Sequence, residues 1–237
     1  MHARPVAEGV ARLAERHGLD STQAALLSQL ADHLALDERA PTAIRDPLAV
    51  LNAHLADSLS ALEVDAVSQA RTIADIGAGA GMPGLALAVG LPRSAVHLVE
   101  SNRRKCDYMA ELISTLGLPN ADPVCGRAEE WRDGRDAHDL VVARALGPQA
   151  LVLEYAAPLL AAGGTVVDWR GRRVEADEAA ALGAAEELGL AREEVRKVVP
   201  FEGARDRHLH IFNKVGPTPD RFPRRVGMAQ KRPLGAP

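Results

Sequence analysis

The chain has 237 residues, 47% apolar and 25% charged, which leaves room for one sizeable α/β domain with an extension. No apolar run reaches membrane-spanning length and the N-terminal stretch lacks a signal-peptide core, so no membrane contact is expected and the expected compartment is the cytoplasm. Two cysteines, Cys106 and Cys125, exclude a disulfide framework and a zinc set, and a net charge of −4 excludes a bulk basic nucleic-acid binder.

Residues 9–62 read as helices that precede any convincing strand. GVARLAERHGL places apolar residues at 10, 13, 14 and 19, and STQAALLSQLADHLAL opens on cap-type Ser21 and Thr22 before repeating Leu and Ala at helical spacing. In RDPLAVLNAHLADSLSAL, Asp46 suits the N-cap and Pro47 the first helical position. From residue 71 the texture alternates. RTIADIG reads as a buried strand, MPGLALAVG as a short helix, SAVHLVE as a strand, and RRKCDYMAELISTLGL as a helix ending near Gly117. DPVCGRAEEW holds a weak strand that Pro123 restricts to a start or an edge. HDLVVAR is a strand, PQALVLEYAAPLLAAGG a helix, TVVDWRG a strand and EADEAAALGAAEELGL a helix. EEVRKVVPF and RHLHIFNKV then close as two strands joined by EGARD, a hairpin at one sheet edge. The fold class is α/β, a parallel sheet with helices on both faces. Residues 1–66 form a helical extension, 67–216 the main domain, and 217–237 an irregular Pro- and Arg-rich tail.

The stretch DIGAGAGMPG, residues 75–84, follows a strand and opens a helix, the position of a ligand crevice in an open α/β sheet. Gly77, Gly79 and Gly81 let the backbone pass close to a ligand, and Pro83 can start the next helix. Two ligand classes fit. Residues 79–84 spell the dinucleotide fingerprint GxGxxG, and the same stretch from Asp75 spells DxGxGxG, the loop of S-adenosylmethionine (SAM) methyltransferases. Glu100, about 20 residues on, ends the second strand where a carboxylate accepts ribose hydroxyls of either nucleoside. Asp75 is a poor neighbour for a pyrophosphate and suits an ammonium and sulfonium, and the terminal hairpin also favours the methyltransferase reading.

Charge is unevenly spread. From Asp220 onward, Arg221, Arg224, Arg225, Lys231 and Arg232 face one acid, a net +4 on an otherwise acidic body. Arg103, Arg104 and Lys105, and Arg170, Arg172 and Arg173, are smaller basic groups whose bland reading is a solvated face. His54 and Asp57 lie three apart and can share a helix face, as a surface pair or near a substrate. His208 and His210 share a strand face without a third ligand, so no metal is expected.

These features carry a specific match. TAIRDP (42–47), HLADSL (54–59), DIGAGAGMPGLALAV (75–89), GRAEEW (126–131), VVARAL (141–146), RHLHIFNKV (207–215) and TPDRFPRRVGMAQKRPL (218–234) together resemble the RsmG (GidB) family. That family comprises SAM-dependent methyltransferases acting on N7 of a guanine in 16S ribosomal RNA. The chain departs from the family pattern at Ala40-Pro41, where Asn-Leu is usual, at Glu100, where many members carry Asp, and at Pro123. The resemblance implies a Rossmann-like SAM methyltransferase sheet with an N-terminal helical cap and a C-terminal antiparallel hairpin. It implies that Gly77 to Gly81 lie under the methionine part of the cofactor with Met82 beside it, that Glu100 takes the ribose, that Ala128 and Glu129 line the adenine, and that Arg144 faces cofactor and reaction centre. The expected partner is 16S ribosomal RNA or the small ribosomal subunit, with His54, Asp57 and the tail cations on the RNA side.

Guanine N7 already presents a lone pair, so no obligatory base and no nucleophilic cysteine is expected; alignment does the catalysis. Positive charge grows on the purine, which makes Arg144 a positioning group. The rival readings are a small-molecule SAM methyltransferase, a non-catalytic SAM- and RNA-binding regulator, and an NAD-dependent oxidoreductase.

Overall fold

A computed structural model describes residues 3–235 of the chain. The ends of the two terminal segments, residues 1–2 and 236–237, lie outside the described residues. In chain order the elements are α1 (Ala3–His17), α2 (Ser21–Leu36), α3 (Pro47–Val50), a π-helical turn (Leu51–Ala56), α4 (Asp57–Leu59), a 3-10 turn (Ser60–Glu63) and α5 (Asp65–Ser68). The alternating part runs β1 (Thr72–Ile76), α6 (Gly84–Gly90), β2 (Ala95–Glu100), α7 (Arg103–Leu116), β3 (Ala121–Cys125), β4 (His138–Arg144), α8 (Gln149–Ala156), β5 (Leu160–Arg170), α9 (Glu175–Leu188), β6 (Leu190–Lys197) and β7 (His208–Lys214), and α10 (Met228–Lys231) lies in the tail. The seven strands order as β3-β2-β1-β4-β5-β7-β6, with β7 antiparallel to both neighbours. Strand order reverses between β1 and β4, so their C-terminal ends splay open a crevice. β3, which carries Pro123, is an edge strand, where a missing N–H costs least.

One face of the sheet is covered by the N-terminal helices with α6 and α7, in a core that runs from Val6, Leu27, Leu34 and Leu55 to Ile73, Leu98 and Ile211. The expected cap of α2 shifts by one residue. Asp20, not Ser21 or Thr22, accepts from the N–H groups of Thr22 and Gln23, and Gln23 accepts back from the Asp20 N–H, a reciprocal box that neither hydroxyl can complete. Gln23 also donates to the carbonyls of Val89 and Gly90, fixing α2 against the end of α6. Asp46 caps α3 through the Ala49 N–H, with Pro47 in the first turn as expected. The single helix expected over the following residues is instead widened by the π turn, into which a side chain of β4 inserts (below).

The other face is covered by α8, α9 and the tail. The helix expected over PQALVLEYAAPLLAAGG ends at Ala156, because Pro158 cannot continue the hydrogen-bond ladder, and Leu160–Arg170 form one long strand. Its first residues pair irregularly with β4, with Gly163 at φ +75 in the displaced stretch. β6 likewise begins earlier than expected, at Leu190 opposite Lys214. The tail is a docked strap. Phe222, Ala229 and Leu234 are buried in the same core as α8 and α9. Arg224 forms a two-pronged ion pair with Glu154, which is 2% exposed, and Arg221 pairs with Glu187 and lies over the Phe222 ring. No helix among the described residues is long and apolar enough to cross a membrane.

Because Phe222 is 6% exposed, Phe222→Ala should lower unfolding stability by roughly 3 kcal/mol in a urea titration. An unchanged midpoint would mean that the strap unfolds separately from the core.

Candidate active site

The loop after β1 and the loop after β4 meet at the strand-order reversal. There the structure opens a cleft of about 610 Å³ that shares Gly77, Lys105 and Ala145 in its lining with a smaller neighbouring one of about 280 Å³. Gly77, Gly79 and Gly81 all take positive φ, +73, +61 and +90. A Cβ on Gly77 would strike Leu146, and one on Gly81 would strike Leu85, but one on Gly79 meets nothing nearer than the Gly77 carbonyl at 3.7 Å. Gly79 is therefore the point where the backbone is bare toward the cleft. Gly81 serves packing. Asp75 lines neither cavity. It is fully buried and accepts from the Gly84 N–H at 2.7 Å, and burial pushes its carboxyl up to about 7. A side chain so enclosed fixes the entry of α6, whereas the sequence reading assigns it to the charged end of the cofactor. Met82 lines the larger cleft beside Ser58.

Glu100 closes the smaller cavity. Its carboxylate accepts from the Gly79 N–H at 3.1 Å and from the Asn102 N–H at 2.8 Å, with Lys105 at 3.8 Å. That cavity is also lined by Ser101, Arg127, Ala128, Glu129, Leu146 and Tyr155. Glu129 accepts at 3.5 Å from the N–H of Gly227 in the strap, and burial followed by the Glu129 carboxylate pushes the Tyr155 hydroxyl up to about 12. A bare glycine, a carboxylate held by two backbone donors, and a slot whose apolar wall is Ile76, Val99, Ala128 and Leu146 fit a nucleoside with a charged tail, so these residues fit SAM.

Arg144 stands at the end of β4 in the larger cleft. It donates to Asp57 Oδ2 at 3.0 Å, the Ala53 carbonyl at 3.1 Å and His54 Nδ1 at 3.3 Å. Asp57 is 5% exposed, its backbone carbonyl accepts from Trp169 Nε1, and Arg207 approaches its other oxygen at 3.4 Å. Burial, then the neighbouring Arg144 charge, lowers the His54 pKa to about 4. His54 and Asp57 therefore come together around Arg144, and both line the larger cleft, Asp57 with little of its surface exposed. His208 lines the larger cleft, while His210 is buried with its pKa lowered to about 4, chiefly by burial. Among the described residues no group of three or more His, Cys, Asp or Glu could hold a metal ion.

The tail cations are not gathered at the larger cleft. Arg221 and Arg224 are taken by acids of the body, and Arg225, Lys231 and Arg232 are exposed on the strap. The cleft has its own cations, Lys105, Arg170, Arg172 and Arg207. Arg207 and Thr42 were not singled out from sequence, although both sit inside quoted motifs, RHLHIFNKV and TAIRDP; no local pattern says that a sheet-end arginine meets a helical cap.

The fold and the two adjacent cavities define a Rossmann-like, SAM-dependent methyltransferase. Solved structures agree on the fold: a predicted O-methyltransferase from Agrobacterium tumefaciens superposes with a TM-score of 0.53 at 21% identity, covering 68% of this chain and 81% of that one. An O-methyltransferase family protein from Burkholderia thailandensis superposes with a TM-score of 0.55 at 17% identity, covering 78% and 62%. The GidB family, described as rRNA small subunit methyltransferase G, matches residues 27–210, and the chain belongs to it. Relatives named ribosomal RNA small subunit methyltransferase G include one from Pelotomaculum thermopropionicum, 37% identical over 197 residues (81% of this chain, 82% of the relative), and one from Rubrobacter xylanophilus, 37% identical over 219 residues (90% and 84%).

Gly79→Val would place a branched side chain in the bare part of the loop at a φ it disfavours. Calorimetry should show SAM affinity reduced by about tenfold or more, with cooperative unfolding retained. Unchanged affinity would remove the loop from the cofactor site.

Proposed function

We propose that this protein transfers a methyl group from SAM to N7 of a guanine in 16S ribosomal RNA, as naked RNA or in the small subunit, in the cytoplasm. The observation that carries this reading is the adjacency of the two cavities, which share Gly77, Lys105 and Ala145: a nucleoside-sized slot lies beside a larger cleft lined by Lys105, Arg172 and Arg207. Family membership supplies the substrate class, because the relatives bear the name of small-subunit ribosomal RNA methyltransferases.

SAM, when bound, supplies an electrophilic methyl on a sulfonium. The chain's own residues bind and align. Glu100 offers its remaining lone pairs to ribose hydroxyls, and the bare Gly79 backbone lies under the methionine part. No base is required. The His54 Nδ1 lone pair is taken by Arg144, and burial pushes the Cys106 thiol up to about 12. Arg144 is held rigidly and its charge is balanced by Asp57, so it can position a substrate group without opposing the positive charge that grows on the purine. In this reading residues 1–66 cap the substrate side, 67–216 carry cofactor and chemistry, and 217–237 strap the adenine side and present Arg225, Lys231 and Arg232 to RNA phosphates.

Incubation with labelled SAM and under-methylated small subunits should place label on N7 of one guanine, located by mapping the modified base. Label on another base, or on a metabolite alone, would overturn the reading. Replacing Arg225, Lys231 and Arg232 together by Ala, which spares the buried strap residues, should weaken RNA binding and reduce the salt slope by about 2 to 3, leaving SAM affinity unchanged. An unaltered slope would take the strap away from RNA.

A further inference from the structure

The Arg144 cluster ends in a hydroxyl whose hydrogen-bonding direction is decided by proton counting. Arg144 carries only N–H groups, so the nitrogen it meets at 3.3 Å, His54 Nδ1, must accept. A ring that accepts there carries its proton on Nε2. That nitrogen lies 2.8 Å from Thr42 Oγ1 and therefore donates to it. The Ile44 N–H donates to the same oxygen at 3.2 Å. Both lone pairs of the Thr42 hydroxyl are thus engaged, and its own O–H can act only as a donor.

Thr42 is half-buried and lines the larger cleft with Arg144 and Gly79. Its place there is fixed. The Thr42 N–H donates to the Ala40 carbonyl at 2.8 Å. Arg45 donates to the carbonyls of Asp37, Glu38 and Ala40, tying down the loop that leads into Thr42. A hydroxyl forced to donate, on a pinned loop beside the reaction centre, selects for an acceptor on the substrate.

Given the proposed guanine substrate, on which this inference rests, we infer that the Thr42 hydroxyl donates to O6 of the target base and so distinguishes guanine from purines with an amino group at that position. On this edge guanine presents acceptors at N7 and O6, whereas adenine presents an acceptor at N7 and a donor at N6. N7 is the atom to be methylated and has to stay free. O6 is the neighbouring atom left to read, and an amino group there would set donor against donor.

The test compares guanine with 2,6-diaminopurine at the target position of small-subunit RNA; the analogue keeps N7 and the 2-amino group and exchanges O6 for an amino group. Wild type should prefer guanine in kcat/KM by about tenfold or more. Thr42→Ser should keep the preference, and Thr42→Val should reduce it to within about twofold while its thermal unfolding remains cooperative. A Thr42→Val enzyme that methylates guanine and still discriminates as wild type does would overturn the inference and leave the proposed function standing. Thr42→Ser losing the preference as fully as Thr42→Val would also overturn it. Failure of wild type to methylate the guanine substrate would overturn the proposed function, and the assignment of Thr42 with it.

Discussion

The ion pair between Arg144 and Asp57 is the constraint on which the rest of the site depends. It joins the end of a central strand to a helix of the N-terminal extension, across 87 residues of sequence. Both groups are largely out of water, and taking two charges out of water is costly unless their remaining hydrogen-bonding groups are matched as well. Here the match is partial: Asp57 Oδ1 accepts no hydrogen bond, and only the Arg207 charge at 3.4 Å faces it. The guanidinium also reaches the Ala53 carbonyl and His54. The π turn belongs to the same solution, because its wider coil leaves the Ala53 carbonyl open to the arginine.

From that pair the substrate side of the cleft follows. His54 is kept neutral by burial and by the adjacent guanidinium, with one nitrogen accepting and the other donating, so the polarity set by Arg144 is passed to Thr42. A neutral overall pair also suits the proposed chemistry, in which the substrate gains positive charge. Rigid positioning, with no proton to move, is what methylation of an existing lone pair asks of a protein.

The cofactor side is built independently, from the glycine loop, Glu100 and the opposite face of the sheet. There the strap supplies the third dimension. Phe222, Ala229 and Leu234 bury against α8 and α9, and Gly227 touches Glu129 at the end of the nucleoside slot. Two of its five cations hold the strap down, which leaves three outward, so the basic tail divides into an anchoring part and a displayed part.

Local chemistry made much of this legible in the residues alone. The order of strands and helices follows from apolar periodicity, the turn at 77–81 from glycines that alone tolerate its dihedrals, and the place of Glu100 at the end of β2 from its distance along the chain. The Asp46-Pro47 start and the Gly117 stop are equally local. What the residues alone did not decide was anything requiring two distant segments to meet. The Gly84 N–H that closes over Asp75 is not read from its neighbours in sequence; α8 reads too long until β5 pairs with β4 through Leu160; the tail reads as five cations for RNA until Glu154 and Glu187 claim two of its arginines. Period and propensity act within a few residues, whereas burial and charge pairing are properties of three-dimensional neighbours, and only the folded chain chooses those.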